Sequence, residues 1–111
     1  MTQNDTILAR LMAVIEDRKT QLPEHSYTAK LLRGGVDKIG VKVREEAEEV
    51  IEAAGETGEE GRQHLIREAA DLIYHLSVLL GHRGVGWEAV EAELARRFGL
   101  SGLDEKAARP A

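Results

Sequence analysis

The sequence predicts an all-α fold, a helical bundle of four to five helices. Apolar residues recur every three or four positions along each long segment, and the alternation expected of a strand appears nowhere in the chain. Aromatic residues make up only 4% of the chain, and its apolar residues are mostly Leu, Val, Ile and Ala, which suit interlocking helices. Short connections between the segments favour antiparallel neighbours. With a length of 111 residues, we take 1–111 as a single domain.

The first helix is predicted from Asp5 to about Gln21. Its apolar residues fall at helical spacing, at Ile7, Leu8, Leu11, Met12 and Ile15. Asp5 or Thr6 can serve as the N-cap. Pro23 closes the helix, because proline cannot donate a backbone hydrogen bond within it.

The next stretch predicts two helical pieces separated by glycines. Ser26 or Thr28 can cap a short piece, which the glycine pair at 34–35 ends. A longer helix then opens near Asp37, and Gly55 is a natural residue to end it. We therefore expect a break in the helical backbone at the glycine pair.

The second half of the chain predicts a loop, two further helices and a tail. Residues 55–61, GETGEEG, form a polar, turn-rich loop. The helix at about 60–82 is the most apolar segment and has apolar residues on more than one face, whereas the helix at about 87–98 is shorter. The tail 99–111 is expected to be loosely ordered, outside a core of about 5–98. Since one chain supplies too few partner helices to cover the apolar segment, we expect a homodimer that completes the bundle.

Charge and composition exclude several classes of partner. The formal net charge is −5, which disfavours bulk attraction to nucleic acid or to an anionic membrane. The N-terminal residues lack the layout of a signal peptide, and no apolar run approaches the roughly 20 residues of a membrane span. The chain has no cysteine, so disulfides and thiolate metal sites are excluded. We expect a cytoplasmic protein in which local cations or a metal ion must attract any anionic ligand.

Four glutamates crowd five positions of the third segment, within KVREEAEEVIEA (residues 42–53). Like charges one turn apart on a helix repel by roughly a few tenths of a kcal/mol per pair, so this arrangement needs a reason. Glu45, Glu46 and Glu49 share one side of the helix beside a packed apolar stripe, whereas Glu48 faces elsewhere and is expected to be solvated.

The fourth segment carries a second acidic pair. Glu68 and Asp71 are spaced i, i+3, and His75 follows one turn later on the same face. Apolar residues border the pair in LIREAADLIYHLSVLL (residues 65–80), so we do not expect full exposure. Burying two carboxylates without partners costs roughly several kcal/mol, which again calls for a compensating group.

Two helices that present matching acidic pairs can bring four or five carboxylates to one volume. A divalent cation removes their repulsion, and all-oxygen ligation suits Mg²⁺ or Mn²⁺. A di-iron bundle is disfavoured because it uses Glu-x-x-His pairs, and His75 stands at the wrong offset from Glu68. Two alternatives remain: a solvated glutamate-rich face on the third segment, and a buried ion pair of Glu68 or Asp71 with Arg or Lys.

The basic side chains and histidines also have two interpretations. Lys38 and Lys42 either pair with Glu46 along the helix or contact a phosphate group of the ligand. His75 is expected to pack between helices or to support a ligand residue. The other histidines are expected to be ordinary surface residues: His25, His64 and His82.

The acidic pattern also resembles that of a known superfamily. Glu45-Glu46-x-x-Glu49, followed after 18 residues by Glu68-x-x-Asp71, resembles the signature of MazG-like all-α nucleotide pyrophosphohydrolases. Three longer stretches are similar to the phosphoribosyl-ATP pyrophosphatase family of histidine biosynthesis: SYTAKLLRGGVDKIGVKVREEAEEVIEA, EAADLIYHLSVLL and ELARRFGLSGLDEKAAR. The resemblance covers almost the whole chain.

The resemblance implies Mg²⁺-dependent hydrolysis of phosphoribosyl-ATP to phosphoribosyl-AMP and pyrophosphate by a homodimer. It implies metal ligation by Glu46, Glu49, Glu68 and Asp71. Glu45 is the candidate to orient or deprotonate the attacking water, so Glu45, Glu46 and Glu49 form the candidate catalytic set. The candidate phosphate contacts, the last two of them in the tail, are Lys38, Lys42, Arg33, Lys106 and Arg109.

Two other functions remain open at this point. A housecleaning (d)NTP pyrophosphatase of the MazG-like type would use the same metal site on a different nucleotide. A helical interaction module without catalysis would use the glutamate-rich helix only as a solvated face. The substrate and the effect of Mg²⁺ distinguish the three functions.

Overall fold

The computed structural model describes residues 6–21 and 24–99. Within this part of the chain the protein is built from four α-helices and contains no strand, which confirms the all-α prediction. The helices are α1 (Ile7–Gln21), α2 (Tyr27–Ala54), α3 (Gly58–His82) and α4 (Trp87–Phe98). None of them is long and apolar enough to cross a membrane. The expected loose tail lies, from residue 100 onward, outside the described residues.

Side-chain caps fix where the first two helices begin. The Thr6 hydroxyl accepts a hydrogen bond from the Ala9 backbone N–H at 3.0 Å, and the Ser26 hydroxyl accepts one from Ala29 at 3.1 Å. Each hydroxyl satisfies one of the backbone donors that a helix leaves without a partner in its first turn, which is worth about 1 kcal/mol. Of the caps considered from the sequence, Thr6 and Ser26 are therefore used.

The glycine pair interrupts the helical backbone of α2. The break expected from the sequence is confirmed at Gly35, where φ is 75° and ψ is −166°, so α2 consists of two helical pieces that meet at a kink. Only glycine adopts this conformation readily, because it has no Cβ to clash with the backbone. The buried residues Leu31 and Leu32 lie before the kink and Ile39 lies after it, so both pieces contribute to the core.

We expect Gly35→Ala to destabilise the fold by roughly 1–3 kcal/mol, because alanine at a φ of 75° is strained. The matched control is Gly55→Ala at the end of α2, where φ is −82° and a Cβ would make only an ordinary contact. Thermal unfolding of both variants measures the difference. A melting temperature for Gly35→Ala equal to that of Gly55→Ala would contradict the assigned kink.

The turn between α2 and α3 is shorter than the sequence predicted. The expected loop at 55–61 is reduced to residues 55–57, because α3 already begins at Gly58. Glu59 and Glu60 occupy the first turn of α3, where negative charge is stabilised by the helix dipole. Gly61 is buried against the turn, and a Cβ at this position would lie 2.8 Å from the Glu56 carbonyl carbon. The polar residues at 55–61 therefore form the first turn of α3 as well as the loop before it.

The core joins α1 to one end of the α2–α3 pair. Its buried residues are Ile15, Leu31, Leu32, Ile39 and Val78. Full burial of such a side chain contributes about 1.5–3 kcal/mol. Packing of α1 on α3 is close, since a Cβ on Gly81 would lie 2.6 Å from Ile15 Cγ2. The half of the α2–α3 pair nearer the turn carries the acidic residues.

Candidate metal centre

Three of the predicted metal ligands lie together between α2 and α3. Glu46 comes from α2, and Glu68 and Asp71 come from one face of α3, because they are one turn apart. One carboxylate oxygen from each residue lies within 4.8 Å of the other two. The set contains only carboxylate oxygens, which are the ligands that Mg²⁺ and Mn²⁺ prefer.

Two buried oxygens of this cluster have no hydrogen-bond partner among the residues that the structure describes. They are Glu46 Oε1 and Glu68 Oε1, and the Glu46 residue is only 8% exposed. Burial, and then the neighbouring Glu49 and Asp71 carboxylates, raise the pKa of Glu46. A buried acceptor without a donor carries an uncompensated desolvation cost of about 1–3 kcal/mol, or more when charged. The cluster therefore fits a hard divalent cation, which would use the two oxygens as ligands.

The other two glutamates of the candidate catalytic set, Glu45 and Glu49, lie outside this set of three. Glu49 is exposed, and its carboxyl group contacts that of Glu68, which together with burial raises the pKa of Glu49. Glu49 contacts this set of three, but its oxygens are not among those that converge within 4.8 Å. Glu45 is also exposed, and its Oε1 lies 3.3 Å from the Lys42 Nζ.

The predicted phosphate contacts are distributed along α2 and the tail. Pairing with Glu46 was one of the two interpretations of Lys42, but Lys42 pairs with Glu45. This contact, and then the proximity of Tyr27, raise the pKa of Lys42. Lys38 is exposed, and its aliphatic stem covers Gly34. Arg33 is exposed as well. The two tail candidates, Lys106 and Arg109, lie outside the described residues.

An aromatic cluster borders the acidic residues. His75 is buried, and its Nδ1 lies 2.9 Å from the Asp71 carbonyl oxygen, which can only accept a hydrogen bond. His75 Nε2 then faces the Tyr27 hydroxyl at 2.9 Å. Tyr27 also stacks on Tyr74, whose hydroxyl is hydrogen-bonded to that of Thr28. His75 therefore packs between helices, as its sequence position indicated, and fixes the backbone at Asp71.

Sequence reasoning missed the contact between His64 and the acidic cluster. His64 was expected to be an ordinary surface residue, but its Nε2 lies 3.3 Å from Glu68 Oε2, and its Nδ1 lies 3.0 Å from Glu56 Oε1. The contact with Glu56 raises the pKa of His64. The i, i+4 spacing of His64 and Glu68 on α3 is the signal that could have indicated the first contact.

Comparison with known proteins shows which family contains this chain. The profile of the family described as phosphoribosyl-ATP pyrophosphohydrolase matches residues 8–98, which include α2, α3 and the whole acidic cluster. The chain belongs to the phosphoribosyl-ATP pyrophosphohydrolase family. As a member it is an all-α hydrolase with phosphoribosyl-ATP pyrophosphohydrolase activity in histidine biosynthesis.

Several curated relatives support this family membership over nearly the whole chain. The phosphoribosyl-ATP pyrophosphatase of Rhodopirellula baltica is 60% identical over 104 residues, which cover 94% of this chain and 87% of the relative. That of Geobacter sulfurreducens is 51% identical over 109 residues, covering 98% of each chain. That of Trichlorobacter lovleyi is 53% identical with the same coverage. The resemblance described from the sequence motifs is thereby confirmed.

Proposed function

We propose that this chain hydrolyses phosphoribosyl-ATP to phosphoribosyl-AMP and pyrophosphate with Mg²⁺ held by Glu46, Glu68 and Asp71. Glu49, at the edge of the cluster, is the fourth ligand of the site. The observation that carries the proposal is the set of three converging carboxylates, two of whose buried oxygens have no partner within residues 6–21 and 24–99. Mn²⁺ is the expected substitute, because it accepts the same oxygen ligands.

The residues around the cluster divide the remaining tasks. Bound there, Mg²⁺ supplies positive charge that offsets the charge developing on the leaving pyrophosphate. Glu45 is exposed and directly precedes Glu46 in the sequence, and it is the candidate to orient the attacking water as a general base. Lys42, beside Glu45, and Lys38, about one turn earlier on α2, can hold the phosphate groups as point charges.

The active assembly in this proposal is a homodimer. Large apolar side chains remain exposed on α2 and α3: Val36, Val41, Ile51, Ile66 and Ile73. Val36 and Val41 line a groove of about 470 Å³ together with Val43 and Leu79. A second copy of the chain would remove this apolar surface from water, and light scattering measures the resulting mass directly.

The proposed activity predicts that pyrophosphate release from phosphoribosyl-ATP requires Mg²⁺. Removing the metal with EDTA should lower the rate at least about 100-fold, because the cation supplies several kcal/mol of charge stabilisation, and each 1.36 kcal/mol is tenfold in rate. Mg²⁺ added in excess of the chelator should restore the rate. The measurement is a coupled assay for pyrophosphate.

The same assay tests the housecleaning alternative, with canonical and modified dNTPs as competing substrates. We expect kcat/KM for phosphoribosyl-ATP to exceed that for every dNTP tested, in keeping with the family match. A preference for a dNTP would assign the site to the housecleaning class. Unchanged turnover in EDTA would show that the reaction does not require a metal ion, which would contradict the proposed role of Mg²⁺.

A further inference from the structure

His64 connects the turn between α2 and α3 to a carboxylate of the cluster. Its Nδ1 lies 3.0 and 3.1 Å from the two Glu56 oxygens, and its Nε2 lies 3.3 Å from Glu68 Oε2. The imidazole is about one-third exposed, whereas the Glu68 side chain is only 15% exposed. Both ring nitrogens are thus committed to carboxylates that come from different parts of the hairpin.

The Glu56 end of this connection is fixed by the backbone. Glu56 donates its backbone N–H to the Ala53 carbonyl oxygen at 3.1 Å. Gly61, one turn into α3, is buried against Glu56 so closely that a Cβ there would lie 2.8 Å from the Glu56 carbonyl carbon. Because Glu56 is held on two sides, its side chain can restrain the His64 ring.

The two oxygens of Glu68 have different environments. Oε2 faces His64, whereas Oε1 is buried and accepts no hydrogen bond from the described part of the chain. A glutamate side chain has three rotatable bonds and loses conformational freedom when it binds an ion, so a contact that restrains it beforehand reduces that loss. Residues that hydrogen-bond to a ligating carboxylate typically change metal affinity or activity 10–100-fold when they are mutated.

We infer that His64, anchored by Glu56, is a positioning residue that holds Glu68 Oε2 and thereby keeps Oε1 available to the cation. This inference rests on the proposed metal function. His64 does not touch the reacting atoms, and its effect is transmitted entirely through Glu68. Glu56 contacts His64 and not Glu68, so we expect its replacement to weaken Mg²⁺ binding less than replacement of His64 does.

The test compares Mg²⁺ binding by His64→Ala with binding by the unmodified protein, measured calorimetrically with the metal alone and without substrate. We expect the Kd for Mg²⁺ to rise at least about 10-fold in His64→Ala and by a smaller factor in Glu56→Gln. The matched control is Gln63→Ala, which removes the neighbouring side chain that donates to Glu59, outside the cluster. Its Kd should remain that of the unmodified protein.

A second measurement separates positioning from a merely structural role. A structural role would lower the melting temperature of His64→Ala equally with and without Mg²⁺, whereas positioning reduces the rise in melting temperature that Mg²⁺ produces. An unchanged Kd in His64→Ala, with the unmodified protein binding Mg²⁺, overturns the inference and leaves the proposed function intact. If the unmodified protein binds no Mg²⁺, the proposed function fails and the inference fails with it.

Discussion

Glu46→Gln is expected to lower Mg²⁺-dependent turnover of phosphoribosyl-ATP by about 100- to 1,000-fold while the helical fold is retained. Glutamine is nearly isosteric with glutamate but removes the negative charge that holds the cation, and a loss of several kcal/mol of transition-state stabilisation corresponds to this factor. Asp71→Asn should have an effect of the same order, because Asp71 supplies another oxygen of the cluster. Steady-state kinetics over a range of Mg²⁺ concentrations, with circular dichroism of each variant, measures both effects.

The matched control is Glu48→Gln, which removes one charge from an exposed position of the same helix. Glu48 is not part of the cluster, so its variant should retain nearly full activity. If Glu46→Gln kept near-normal activity at limiting Mg²⁺, Glu46 would not be a ligand. If Glu48→Gln were as inactive as Glu46→Gln, the loss would reflect the general charge of α2 and not a defined site.

Glu46→Gln should also change stability in the absence of metal. Burial and the neighbouring carboxylates raise the pKa of Glu46 above its usual value of 4.5, so folding favours the protonated form. The stability that this provides is present below pH 4.5 and is lost as the pH rises through the folded-state pKa. At pH 7.5 without Mg²⁺, the variant should therefore melt at a higher temperature than the unmodified protein, and the difference should shrink toward pH 4.5.

Val36→Glu is expected to convert the proposed homodimer into a monomer. Val36 is 50% exposed and lines the groove between α2 and Leu79 of α3, whose lining also includes Asp37 and Arg44. In a two-fold symmetric dimer one substitution changes both copies of the interface, and each introduced carboxylate would be taken out of water there. We expect the dimer dissociation constant to rise by at least about 100-fold, since desolvation of a charge costs several kcal/mol. Sedimentation velocity over a concentration series measures this change.

The control for the dimer is the same change at a distant apolar position. Ile7 is 73% exposed at the start of α1 and does not line the groove, so Ile7→Glu should leave the mass unchanged. Equal masses for the unmodified protein and Val36→Glu would show that the groove is not part of the dimer interface. A monomeric unmodified protein at micromolar concentration would contradict the homodimer itself.

Periodicity and local backbone chemistry were sufficient to predict most of the helices. The ends at Gln21, His82 and Phe98 agree with the predicted ones, because apolar spacing, glycine and proline act within a few residues of themselves. The break at Gly35 was predicted as well, because it follows from the local freedom of glycine. The prediction differed at the start of α3, where Gly61 packs on the turn and the helix begins earlier than composition suggested.

The sequence by itself determined that two helices each carry an acidic pair on one side, since the angle between side chains follows from their spacing along a helix. Only the tertiary structure decided which of these residues meet. Glu46 joins Glu68 and Asp71, whereas Glu49 remains beside them, exposed. Spacing fixes rotation about one helix axis but not the height and orientation at which a second helix packs against it. The contact of His64 with Glu56 depends on the turn that joins α2 to α3, which helix periodicity does not describe.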